Sequence, residues 1–114
     1  MGPLAKPNRD LVSRVLNDVG YEGRLVGQRM HKRMGPLTIT MYRFSEVVAF
    51  LRDEYTLLDL NELENWLKTI MRDNELADTV SDIIRTEPRH KERTQKIGTV
   101  LAERLNQCEV NCKI

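Results

Sequence analysis

Cysteine is nearly absent: the 114-residue chain holds two, Cys108 and Cys112. A pair four residues apart is not the framework of a disulfide-stapled secreted domain, and a structural zinc site needs about four ligands, usually as two such pairs. Both residues instead continue an apolar helical stripe, where a free thiol packs as a small hydrophobe. Histidine is equally scarce. His31 and His90 each sit among cations, in Arg29-Met30-His31-Lys32-Arg33 and Arg89-His90-Lys91. Such neighbours disfavour the imidazolium that a general base must form. Glycine is sparse and wrongly spaced: no GxxxxGK loop occurs, and Gly20, Gly23 and Gly27 follow an expected helix, not a strand. The sequence therefore assigns no catalytic residue, metal or cofactor, and an enzyme is the least supported class.

Long hydrophobic runs are missing too. No apolar stretch approaches the roughly 18–20 residues of a membrane span. The first eight residues, Met1 to Asn8, lack the apolar core of a secretory signal. The expectation is a cytoplasmic protein without membrane contact. With 40% hydrophobic residues the chain is nevertheless too apolar to stay disordered. Its length suits one core, so residues 1–114 read as a single domain with 1–7 as a flexible N-terminal tail.

What is abundant is charge, and it is unevenly placed. The formal net charge is only +1. Residues 1–43 carry 8 basic and 3 acidic side chains, residues 44–87 carry 4 and 11, and residues 88–114 carry 6 and 3. The order is basic, acidic, basic. Either folding sets the basic ends against the acidic middle, or the ends gather on one face and create a field.

Hydrophobic spacing predicts a mainly α fold, a small bundle of about five helices. Leu11, Val12, Val15, Leu16 and Val19 mark the first helix, capped near Asn8 and ended by Gly20. In 21–43 the texture changes. Leu37 to Tyr42 alternates apolar and polar residues, so this segment is a short β-hairpin, about 24–29 against 37–42, or an irregular loop. Phe44, Val47, Val48, Leu51 and Tyr55 give a second helix after Ser45 as N-cap, ending near 55–57. Leu60, Leu63, Leu67 and Ile70 give a third, after Asp59 or Asn61. Leu76, Val80, Ile83 and Ile84 follow Asn74 as the fourth. After Pro88, the stripe Ile97, Leu101, Leu105, Cys108 and Cys112 marks the fifth.

Two surfaces follow from this pattern. Five short amphipathic helices carry more apolar area than one small core hides, and Phe50, Trp66 and Met71 lie at the edges of their stripes. They are the expected protein anchors, with Arg29, Lys32 and Arg33 meeting an acidic partner surface, or a second copy of the chain. The function expected first is thus a non-catalytic interaction module. The alternative is nucleic-acid binding through Arg24, Arg29, His31, Lys32 and Arg33 together with Arg89, Lys91, Arg93 and Lys96, because long cations neutralise phosphates. Tyr21, Tyr42 and Phe44 would add stacking surfaces where exposed. The third and fourth helices resemble a helix-turn-helix only in outline: the would-be reading helix, Glu75 to Asp82, is acidic and would be repelled from a groove.

Overall fold

A computed structural model describes residues 4–53 and 55–111. The expected hairpin is present and gains a third strand. The chain runs α1 (Arg9–Leu16), β1 (Leu25–His31), β2 (Gly35–Met41), α2 (Phe44–Arg52), β3 (Thr56–Leu57), α3 (Leu60–Thr69), α4 (Asn74–Thr86) and α5 (His90–Asn111). The fold is therefore mainly helical, five helices with a small antiparallel sheet in the order β2-β1-β3, and not a pure bundle.

Local chemistry sets the helix starts. The side chains of Asn8, Asp59 and Asp73 accept the first free N–H groups of α1, α3 and α4. The cap of α4 is thus Asp73, not Asn74. Helix α2 begins after Arg43 without a side-chain cap, while the Glu46 carboxylate turns back to accept the Tyr42 N–H. It also stops earlier than its stripe suggests, at Arg52: the Asp53 N–H and the Thr56 hydroxyl both donate to the Phe50 carbonyl, the hydroxyl also reaches the Asp53 carbonyl, and the chain turns into β3. Helix α1 likewise closes at Leu16, before Gly20, and Val19 then bonds to the Tyr42 carbonyl. Between α3 and α4 the chain reverses through Arg72, whose φ of 56° is the one left-handed non-glycine conformation among the described residues.

Helix α5 is the centre of the helical layer and packs on α1, α2 and α4. Ile97, Leu101 and Cys108 on α5 are fully enclosed, with Val47, Leu67, Leu76 and Val80 from the surrounding helices. Cys112 lies outside the described residues.

Two expectations are corrected here. Phe50, Trp66 and Met71 are core residues, only 6%, 3% and 0% exposed, and not edge anchors. The hairpin and the segment before it cover the first two: Phe50 lies under Gly27, and the Trp66 indole N–H donates to the Gly23 carbonyl at 2.6 Å while its ring stacks on Phe44. Phe44 is itself buried and offers no stacking surface. The apolar surplus of the helices is absorbed by the inner face of the sheet.

The second correction concerns the tail. Residues 1–3 lie outside the described region, but 4–7 are docked, with Leu4 and Pro7 buried. Ala5 donates its N–H to both Glu75 carboxylate oxygens, at 3.1 and 3.0 Å. Its carbonyl accepts from Arg104 at 2.7 Å, and the Leu4 carbonyl accepts from Gln107 at 2.9 Å. Arg104 is buried and also forms ion pairs with Asp73 at 2.8 Å and Glu75 at 2.6 Å. A buried guanidinium is tolerated only when its donors are used in this way. The Ala5 N–H, aided by Arg104, holds the Glu75 carboxyl below its ordinary pKa.

Candidate functional site

Strand side chains alternate between two faces, and the register separates them. Leu25, Gly27, Arg29 and His31 face Met41, Ile39, Leu37 and Gly35 on the inner side. Of these, Leu25, Gly27 and Met41 are buried on the helices, and the hairpin becomes more exposed toward its turn. On the outer side Val26, Gln28 and Met30 face Thr40, Thr38 and Pro36, and Leu57 of β3 stands opposite Gln28. The Met30 N–H donates to the Tyr55 carbonyl at 2.8 Å, which extends this register and places Tyr55 beside Met30.

This outer face is open to solvent. Val26 is 40% exposed, Met30 45%, Leu57 50% and Tyr55 62%, and none of the eight residues is charged. Met34 in the adjoining turn is also exposed. These five account for most of the large exposed apolar side chains among the described residues; Tyr21 and Val110 are the others. Exposed apolar groups scattered singly need no explanation, whereas here Val26, Met30, Tyr55 and Leu57 share one face of the sheet. None of the outer-face residues was singled out from the sequence. The signal was there in the alternation Val26-Gly27-Gln28-Arg29-Met30 and in the uncharged run Gly35 to Met41, but which face is covered depends on helices distant in sequence.

The basic residues expected to act together have different fates. Arg29 points to the inner side and pairs with Asp53. His31 closes the turn, its Nδ1 accepting from the N–H groups of Arg33 and Met34, both at 3.2 Å. Arg24 bonds the Tyr21 carbonyl and lies 3.8 Å over the Tyr21 ring. On α5 and just before it, Arg89 pairs with Glu92, Arg93 donates to the Glu87 carbonyl, and Lys96 pairs with Glu87 at 2.7 Å. Lys96 holds the Glu87 carboxyl below its ordinary pKa. Arg29–Asp53, Lys96–Glu87 and Arg104–Asp73 thus set basic ends against the acidic middle, as one of the two charge readings supposes. The side chains of Lys32, Arg33 and Lys91 form no ion pair or hydrogen bond among the described residues.

The two basic segments nonetheless border one turn. A groove of about 510 Å³ separates residues 51–57 from the start of α5, with Asp53, Tyr55 and Thr56 on one wall and His90, Lys91 and Thr94 on the other. Arg29 reaches the same turn from β1 through Asp53. The apolar strip is therefore flanked by the cationic hairpin turn and, across Tyr55, by the start of α5.

Among the described residues no group of three or more His, Cys, Asp or Glu is placed to hold a metal ion, and no helix is long and apolar enough to cross a membrane. No protein-family model, curated protein or solved structure matches the chain, and the surface is read from its geometry alone.

Proposed function

We propose that this chain is a small non-catalytic protein-binding module, with the outer face of the sheet as its docking surface. The observation that carries the reading is the uncharged strip Val26, Met30, Tyr55 and Leu57, exposed beside Lys32 and Arg33, which form no ion pair among the described residues. A partner complementary to it presents aliphatic or aromatic side chains next to acidic ones. Burying Met and Tyr supplies most of the affinity, since polarizable and amphipathic groups fill such contacts well. The rim cations speed encounter and set orientation more than they tighten the complex.

The test uses two variants at exposed positions, Met30→Lys with Leu57→Lys, and Lys32→Glu with Arg33→Glu. Each is compared with the wild type in affinity capture, and the stoichiometry and the association and dissociation rates of the captured protein are then measured by calorimetry and surface plasmon resonance. A stoichiometric complex weakened by the first pair through dissociation and by the second through association rate supports the reading. A complex indifferent to both pairs refutes it.

A second reading, nucleic-acid binding, rests on Lys32 and Arg33 in the hairpin turn and Lys91 at the start of α5, whose side chains make no ion pair among the described residues. Their small number favours the first reading, since the other six of the nine candidate residues are engaged within the protein. Salt-dependent oligonucleotide binding that disappears in Lys32→Glu with Arg33→Glu would reverse this order.

A further inference from the structure

We infer that the free edge of β2 pairs with the same edge of a second copy of this chain, joining two three-stranded sheets into one of six strands. The inference concerns the strand edge and stands whether or not the outer face binds another protein.

Strand β2 is at the sheet edge, so alternate N–H and C=O groups from Gly35 to Met41 point away from β1. Among the described residues nothing pairs with them. Natural edge strands are usually protected by charge, by brevity or by proline. This one is seven residues long, carries no charged side chain, and has its only proline, Pro36, at the turn end. Thr38, Ile39 and Thr40 at its middle are β-branched, which favours pairing.

The sequence of β2 also matches itself. In an antiparallel pair about a two-fold axis through Thr38, Gly35 meets Met41, Pro36 meets Thr40 and Leu37 meets Ile39. Outer-face residues then oppose outer-face residues, and a slip of one position would break that match. Leu37 and Ile39, half-buried on the inner side, would each be covered by the other from the second copy. No like charges are opposed along the strand, the condition that ordinarily forbids self-pairing. Beyond the strand end the same register brings the turn of one copy, with Arg33, to Arg43 of the other, a cation already paired with Asp18 of its own copy.

Sedimentation velocity across a concentration series, with the wild type and Thr38→Lys, tests the association. The wild type should shift from monomer to dimer, and Thr38→Lys, which sets two lysines opposite each other at an exposed position, should weaken the dimer roughly fivefold. A second variant reads the geometry directly. Opposed residues in an antiparallel pair have Cα atoms about 4.5–5.5 Å apart, within disulfide range. Thr38→Cys should therefore cross-link to itself under mild oxidation, mapped by mass spectrometry, whereas Val26→Cys, exposed on the inner strand of the sheet, should not. A wild type that stays monomeric at its highest soluble concentration overturns the inference. So does a dimer that forms no 38-to-38 cross-link.

Discussion

Replacing Gly27 by alanine tests whether the sheet is seated on the helices as closely as the structure indicates. A Cβ at this position would stand 2.6 and 2.9 Å from Cζ and Cε1 of Phe50 and 3.2 Å from the Leu57 carbonyl oxygen. Atoms do not approach that closely, so the Phe50 ring, itself only 6% exposed, must move within a filled core. Overpacking of this kind costs about 1–3 kcal/mol. Alanine recovers about 0.4–1 kcal/mol by restricting the unfolded chain. The net expectation is a loss of roughly 1–2 kcal/mol. Urea unfolding followed by Trp66 fluorescence measures it, because the single tryptophan is buried against Gly23, just before β1. The midpoint should fall with the slope unchanged. Adding Phe50→Leu removes the obstructing ring atoms, so the alanine should then cost less, with a coupling of at least about 0.5 kcal/mol. A Gly27→Ala protein as stable as the wild type, or strictly additive with Phe50→Leu, would refute the close approach.

The same substitution at Gly98 has the opposite sign. There the new Cβ would lie 3.5 Å from Leu51 Cβ, an ordinary contact, and alanine is favoured inside a helix by about 1 kcal/mol, so a higher urea midpoint is expected. Arg104→Met should cost about 3–5 kcal/mol in thermal or urea unfolding, because it leaves buried Asp73 without its cation. For Glu75, a folded pKa below the unfolded one means that its contribution is present above the ordinary carboxylate range and is lost as pH falls through the lowered value. The protection factor of the Ala5 amide, its exchange relative to the intrinsic rate at each pH, should therefore fall on acidification through that range, and Glu75→Gln should abolish this dependence; an Ala5 amide equally protected at all pH values would contradict it.

The helices were legible because their signals are local. Leu60, Leu63 and Leu67 recur at the helical period, and Asn8 and Asp59 cap the N–H groups that immediately follow them. The hairpin was half legible: alternation in Leu37 to Tyr42 marked a strand and 24–29 was named as its partner, as the structure pairs them, but an irregular loop would have used the same residues. The candidate surface was read wrongly for the same reason. Phe50, Trp66 and Met71 stand at the borders of their helical stripes, yet the segment that covers Trp66 lies 43 residues away in sequence.

The amino-acid sequence by itself determined the periodic elements, their caps, the absence of a disulfide framework and the alternation of basic and acidic segments. Each depends on residues within a few positions of one another, or on composition. Only the tertiary structure decided which apolar residues stay outside. The inner face of the sheet meets α2, whereas no described element covers Met30 and Leu57 on the outer face, so Phe50 is enclosed while Met30 and Leu57 are exposed. It also decided that residues 4–7 are held by Arg104, Glu75 and Gln107, across as many as 103 positions of chain. Burial is a property of what closes over a side chain, and here that cover comes from elements brought close only by folding.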